Sequence, residues 1–564
     1  MKQYLNSIND LDPDKLYLIP LGGQSEIGAI IYLLVYQGKI LIIDCGAAYP
    51  KVNLPGVDLL YPNTTFLENN QESILALVLS NCKETHNGSI FYLLHHVNVP
   101  SILAPKFIVN LLHQYQSDIK ANTINDYATS ITMRTKTVEF NSSIGPFNIE
   151  WVPLFYADEF MLKIECDKGL VLYTSTFKIG QNSDKSQNIS FKSFTSLKKN
   201  NKPICLLSAS AGIENYGYSQ DELDLEESYN QILINNNNRI IFITNQLNIA
   251  RIRLIQNLTN RFKLNLYTTS EFLTNYLNTY NELYPPLDFQ LINSDSETSK
   301  NRQLILITGN LGNALTGLNE YLNHKNIVPQ SGDILIYNSE ITLGQKRTIA
   351  KISDKLLAMG ITLYKEPEFN VYVNDNASQE DLKLVLSIIN PDIFIPTIGE
   401  YRHIYQHAHL ANNNSTIKTK ILNNGDIFCL NNSENNVSLN QIENSLVYFS
   451  SKQGEKISTA SVKERRSLCY EGVISLSIVL KNHLLVPPIN IEEHASGIRF
   501  STKWAMVLNQ IEEIIVSRLG EFKTENSFDL ESGTEILRQD IIKLIKKEFY
   551  IKPFLQILIT QIEN

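Results

Sequence analysis

The chain is short of several things, and each shortage excludes a class. Its 564 residues hold six cysteines (Cys45, Cys82, Cys166, Cys205, Cys429 and Cys469), widely separated and without a Cys-x-x-Cys pair. That rules against a disulfide framework or a cysteine-based zinc cluster and fits a reducing compartment. No stretch reaches the roughly 18 to 20 apolar residues that span a bilayer, and the opening MKQYLNSINDLDPDKLYLIP lacks the basic flank and apolar core of a secretion signal. Basic residues are outnumbered, 49 Lys and Arg against 58 Asp and Glu, for a formal net charge of -9. Bulk electrostatics therefore do not attract a phosphate backbone, and RNA contact would need a local basic groove.

What is present is ordinary globular sequence. Hydrophobic residues make up 43% and charged residues 19%, far from the composition of disordered chains. The length corresponds to about three to five domains. Asn and Ile are abundant, with an Asn run at 235–238, a bias that points to an AT-rich genome.

Apolar β-branched runs punctuated by glycine (LYLIPLGG, IGAIIYLLVYQG, KILIIDCG) predict strands between Leu16 and Gly46. LALVLS, LVLYTSTF and ICLLSAS read as further strands, each ending in small polar residues, and helical segments alternate with them. The expected class is α/β. From Asp221 an acidic helix opens a second alternation of strand and helix that runs to about Glu366 and reads as an inserted parallel domain. The expected division is 1–220 and 367–430 for one discontinuous domain, 221–366 for the insert, 431–455 for a polar linker and 456–564 for a C-terminal α/β domain.

Eight short strings then fall in a fixed order: PLGGQSEIGA, IIDCG, PGVDLLYPN, TSTFK, LLSASAGIENYGYS, LNIARI, TGNLGN and PTIGEYRHIYQHAHLA. Together, from about Leu16 to Pro553, they resemble ribonuclease J, a family of metallo-β-lactamase-fold nucleases with a β-CASP domain inserted in the lactamase domain. The resemblance implies an αββα sandwich, the insert and a small C-terminal domain. It also implies two zinc ions, held by a His-x-His-x-Asp-His loop, a later His, a bridging Asp and a final His.

At those positions this chain carries other groups. The loop reads NCKETHNGS and places Asn81, Lys83, Thr85 and His86 on the four ligand positions. The later His aligns with Leu154, the bridging Asp with Thr176 and the last His with Ile398; only His86 of the seven survives. The His of a Ser-Gly-His motif is Asn376, and Asp44 takes the place of the residue that orients the metal loop. Zinc needs about three or four N, S or O donors at roughly 2 Å, which leucine and isoleucine cannot supply. No metal or other cofactor is expected, and the expected state is a pseudoenzyme.

The resemblance marks Ser208, Ser210, Asn248, Arg251 and Asn376 as candidate RNA or phosphate contacts, with Asp375 adding a negative charge among them. His403, His407 and His409 follow a strand at helical spacing, where two could meet a metal, but packing or substrate-side contact is the better reading. His95, His96 and His113 have no supporting motif.

The resulting expectation is a non-catalytic ribonuclease J-like protein that binds RNA weakly or assembles, as a homo-oligomer or with RNA-processing proteins, without a membrane. Its composition is similar to that of plastid-encoded algal members, which implies the chloroplast stroma, with a bacterial cytoplasm as the alternative. One rival is an active nuclease with a single metal or an acid/base pair such as Lys83 with Glu84. The other is an interaction protein that does not touch RNA.

Overall fold

The computed structural model describes residues 4–562 apart from 51–53, 123–133, 155–158, 180–203, 235–237, 245–248, 270, 284–285, 287–288, 292–302, 309–313, 325–326, 342–344, 413–415, 432–436, 451–454, 482–483, 486–489, 493–502 and 522–529. The chain forms two compact units, Met1–Tyr49 with Leu60–Val447, and Pro50–Leu59 with Tyr448–Asn564.

In the first unit, two mixed sheets stack. One has eight strands in the order Val437–Gln441, Asp426–Cys429, Tyr17–Gly22, Ile31–Tyr36, Lys39–Ile43, Ile74–Val78, Ile102–Pro105 and Thr135–Val138. The other has seven, in the order Lys418–Thr419, Ile393–Thr397, Ile204–Ala209, Gly169–Tyr173, Phe160–Cys166, Phe147–Pro153 and Asn141–Ile144. The period-two alternation of strands sorts the second sheet's side chains between two cores. Leu162, Ile164, Val171, Tyr173 and Leu207 join the first sheet's Leu33, Val35, Ile42 and Leu77 in one apolar cluster. Met161, Leu170, Leu172 and Leu206 turn the other way, onto Leu382, Val385 and Ile389 of the helix Gln379–Ile389. Trp151 ties the layers together by donating its indole N–H to the Leu79 carbonyl at 2.9 Å. This is the αββα sandwich.

The insert holds a six-stranded all-parallel sheet, Gln290–Leu291, Asn265–Thr268, Gln303–Thr308, Ile240–Thr244, Ile334–Asn338 and Thr362–Lys365. Its strands are apolar on both faces. Ile241, Ile243 and Ile305 pack on Leu318, Tyr321 and Leu356, while Ile240, Phe242 and Leu306 meet Tyr229, Tyr276 and Tyr280, the pattern of a parallel sheet covered by helices on both sides.

Arg251 closes the junction of insert and sandwich. Its guanidinium donates to both carboxylate oxygens of Glu222 (3.1 and 2.8 Å), to Thr244 Oγ1 (3.1 Å) and to the Val373 carbonyl (3.2 Å), with Asp375 at 3.5 Å and the Tyr372 ring beneath it. The side chain is only 1% exposed.

The helix Tyr401–Asn412 returns along the sandwich and buries His407, which shares a 3.0 Å hydrogen bond with Ser210 Oγ through Nδ1 and meets Phe394 edge-on. Burial pushes this imidazole down to about 3.

The second unit is built on Val473–Lys481, which pairs with Leu484–Leu485, Asn490–Glu492 and, in parallel, Phe554–Ile562. Val507, Ile511 and Ile515 of the helix Trp504–Glu521 and Leu537, Ile541 and Ile545 of Leu530–Phe549 cover one face of this sheet. The polar stretch 431–455, expected as a connector around one strand pair, carries strands. Val437–Gln441 is an edge strand of the eight-stranded sheet, and Val447–Ser450 pairs with Glu455–Ile457. Residues 50–59, expected in the lactamase-like part, group with the C-terminal unit.

Two outcomes follow from these buried groups. Arg251→Met takes the guanidinium away from the buried Glu222 and Asp375 and leaves Lys178, 3.9 Å from Glu222, as a more distant cation, so chemical denaturation should show a loss of about 3 kcal/mol. Between about pH 6.5 and 3 the unfolded chain takes up a proton that folded His407 refuses, so stability falls as pH drops, by about 2 kcal/mol at pH 5. His407→Leu should flatten that part of a stability curve measured from pH 7 to 4.

Candidate functional site: a remodelled metal pocket

Asp44 follows the strand Lys39–Ile43 and adopts a left-handed backbone, φ 57°. Its side chain is fully buried, so its oxygens must find donors inside the protein. They find four: Ser80 N–H at 2.8 Å, Ser80 Oγ at 2.7 Å, His86 Nδ1 at 2.8 Å and Tyr173 OH at 2.8 Å. Ser80 and His86 belong to the loop after Ile74–Val78, and Tyr173 ends a strand of the other sheet, so one carboxylate joins the two layers.

The loop is also held through its backbone. Cys45 N–H donates to the His86 carbonyl, Ala47 N–H to Glu84 and Ile30 N–H to Thr85. Gly46 allows this approach, since a Cβ there would lie 1.6 Å from the Thr85 carbonyl oxygen. The frame that would present a metal loop is thus intact.

The side chains on that frame do other work. With Nδ1–H donated to Asp44, the remaining lone pair of His86, on Nε2, accepts from Thr176 Oγ1 at 3.1 Å. Lys83 is 12% exposed and places its ammonium 2.6 Å from Glu159, itself 2% exposed. Asn81 is fully buried; its carbonyl oxygen accepts from Lys83 N–H at 2.7 Å, and its backbone bridges Glu159. Leu154 and Phe177 lie in one apolar cluster and Ile398 in the other. Ile398 keeps a left-handed backbone, φ 50°, a costly conformation for a β-branched residue, about 1–3 kcal/mol.

Two zinc ions do not fit this donor set. Hydrocarbon at 154 and 398 offers no lone pair, an ammonium at 83 offers none while protonated, and the free imidazole nitrogen of His86 is already engaged. Among the described residues no group of three or more His, Cys, Asp or Glu side chains converges as a metal site.

The acid/base pair considered for Lys83 and Glu84 is not formed. Lys83 turns to Glu159, while Glu84 accepts from Tyr49 OH, and burial raises the Glu84 carboxyl to about 7. Glu159 and Tyr173, central to the pocket, carry little signal in the sequence beyond the acidic pair Asp158 and Glu159, which stands a few residues after the expected ligand position 154.

The phosphate-side candidates separate. Arg251, expected to grip phosphate, is buried with its donors committed to Glu222, Thr244 and Val373, so it is corrected to a junction residue. Ser208 and Ser210 are likewise buried, Ser210 Oγ against His407. Asn376 is half-buried and donates to Asn374 Oδ1. Asn248 lies outside the described residues, as does most of TGNLGN. His403 approaches Glu214 at 3.2 Å, with Arg402 on the same carboxylate.

A cleft of about 860 Å³ opens where the LLSASAGIENYGYS segment faces the insert. Tyr216 and Tyr218 stand at it, 87% and 64% exposed, on either side of Gly217, whose φ of 80° makes the turn. Its charges are mixed: Lys346 and Lys365 against Glu214, Glu340 and Glu366.

No family model matches the chain. Ribonuclease J of Synechocystis is 24% identical over 573 residues, covering 96% of this chain and 86% of its own length. Ribonuclease J2 of Bacillus subtilis is 24% identical over 97% of this chain and 99% of its own, and ribonuclease J of Thermus thermophilus 23% over 95% and 92%. A crystal structure of a protein of unknown function from Enterococcus faecalis V583 superposes with a TM-score of 0.51 at 14% identity, covering 74% of this chain and all of that one, a likeness of fold. The chain is thus similar to ribonucleases J along nearly its entire length, on a sandwich that carries the inserted parallel sheet.

Proposed function

We propose that this ribonuclease J homologue does not run two-metal phosphodiester hydrolysis and serves instead by binding RNA or by assembling with other copies or with RNA-processing proteins. The hydrogen bond from Thr176 to His86 Nε2 carries the first half of this reading. It occupies the one surviving metal-type donor, while Lys83, Leu154 and Ile398 provide either a cation or hydrocarbon where ligands would stand. Acid/base catalysis without a metal contributes about 10²–10⁴-fold, far below the acceleration phosphodiester cleavage requires. The composition supports a place in the chloroplast stroma, or else in a bacterial cytoplasm.

The cleft supports the RNA half. Exposed tyrosines offer faces on which unpaired bases stack, at about 1–3 kcal/mol per base. Its three glutamates against two lysines offer little to a phosphate backbone, so the affinity should come mainly from stacking.

Two measurements test the reading. The purified chain supplied with zinc or manganese should leave 5′-phosphorylated RNA intact under conditions in which an active homologue digests it, and should retain less than one equivalent of metal after dialysis. Stoichiometric metal together with turnover lost in His86→Ala would refute the proposal. Single-stranded RNA should bind with an affinity that changes less than about tenfold between 50 and 200 mM salt, against the 10³ to 10⁵ of a protein that grips six to ten phosphates. Tyr216→Ala combined with Tyr218→Ala should weaken it at least tenfold.

A further inference from the structure

The shortage of positive charge is not spread evenly over the chain. The insert's helix Lys346–Ala358, KRTIAKISDKLLA, carries Lys346, Arg347, Lys351 and Lys355 against one acid, Asp354, a net of +3 in a protein of net charge -9. Ile349, Ser353 and Leu356 form its buried side. At about 100° per residue, Arg347, Lys351 and Lys355 fall on one ridge, at i, i+4 and i+8, turned away from those three, and all are exposed. The rise from each to the next is about 6 Å.

Other cations of the insert are spent internally. Arg239 faces Asp333, Arg251 faces Glu222, Arg261 faces Glu226 and Lys365 faces Glu368. On the ridge, among the described residues, no ion pair or side-chain hydrogen bond engages Arg347, Lys351 or Lys355. The helix itself gains little from them: its first turn, where Arg347 stands, has no acidic residue and no side-chain cap, and a cation there opposes the helix field. The ridge begins at the cleft, which Lys346, Ile349 and Ala350 line together with Tyr216 and Tyr218. Unpaired charge and exposed aromatic faces thus adjoin.

We infer that Arg347, Lys351 and Lys355 hold the backbone of a single RNA strand whose bases stack on Tyr216 and Tyr218. Cations repeated at about 6 Å along a helix can each meet a successive phosphate of an extended strand and release its counterion. The joining of the two features selects the ligand. An acidic protein segment would use the ridge and leave the tyrosines idle, and a duplex keeps its bases stacked inside, whereas an unpaired strand engages both. Asp354 stands on the same side of the helix, so the ridge counts for about two phosphates. At about 0.7 per phosphate the affinity falls about sevenfold from 50 to 200 mM salt, inside the limit expected of the cleft. This deepens the RNA half of the function proposed above and rests on it.

Fluorescence anisotropy of the full chain with labelled RNAs reads the ridge by length. A twelve-nucleotide strand, which reaches beyond the cleft, should bind at least tenfold more tightly than a four-nucleotide strand. Arg347→Gln, Lys351→Gln and Lys355→Gln together exchange good helix formers for another on an exposed face. They should erase that advantage, bring the salt effect below about twofold and leave the four-nucleotide strand within about threefold. Asp354→Lys should tighten the long strand by about threefold or more, a gain that misfolding cannot imitate. Three results would overturn the ridge: equal affinity for the two lengths, a triple variant that holds the long strand as the parent does, or a polyglutamate of the same length that displaces it at equal or lower concentration. RNA that binds through the tyrosines without regard to these changes would leave the RNA half of the proposed function standing, and a chain that binds neither strand refutes both.

Discussion

A carboxylate sealed inside a protein has to be given as many donors as water would have given it, and Asp44 shows what that requirement does to a fold. Four donors from three residues converge on it, drawn from the loop after one strand of the first sheet and from the end of a strand in the second. Removing any of them would leave a buried acceptor short, at a cost of about 1–3 kcal/mol or more. The loop, the imidazole of His86 and the hydroxyl of Tyr173 are therefore held in place whether or not a metal is needed there. Gly46 acts in the same direction by admitting the Thr85 carbonyl where no side chain could stand.

Scaffold and two-metal chemistry depend on different atoms. The scaffold uses backbone groups, Asp44 and the apolar clusters on both faces of the second sheet. The chemistry of a two-metal centre uses the tips of seven side chains that the scaffold displays but does not need. Replacing histidine or aspartate by leucine, isoleucine or threonine in that display adds apolar contact and removes groups that would repel one another without a metal between them. Leu154 and Ile398 accordingly belong to the packed interior.

The legible and the illegible parts divide along the same line. Central strands such as Tyr17–Gly22, Lys39–Ile43 and Ile240–Thr244 were readable because buried strands need apolar β-branched runs. Val437–Gln441 was hidden, since an edge strand rich in polar residues has the composition of a connector. The grouping of residues 50–59 with the C-terminal unit was hidden as well, because a contact between segments hundreds of residues apart leaves no periodicity. Position alone gave the groups that stand at the expected ligand positions, but partners lie in space: nothing in the neighbourhood of Lys83 in sequence points to Glu159, 76 residues on, and nothing in LNIAR shows that Arg251 is enclosed by Glu222 and Asp375. A short motif fixes identity and leaves burial open, and burial decides whether an arginine greets a ligand or locks a joint.

The contact between Lys83 and Glu159 also couples two segments of the chain. Each of the two is enclosed with the other at 2.6 Å, so an exchange at one reaches the other: a neutral imidazole at 83 would remove the ammonium that faces the glutamate, and an alanine at 159 the carboxylate that faces the lysine. The two positions are therefore tied: whatever stands at 83 is answered across the pocket at 159, so a change that suits one of them has to be met by a change at the other.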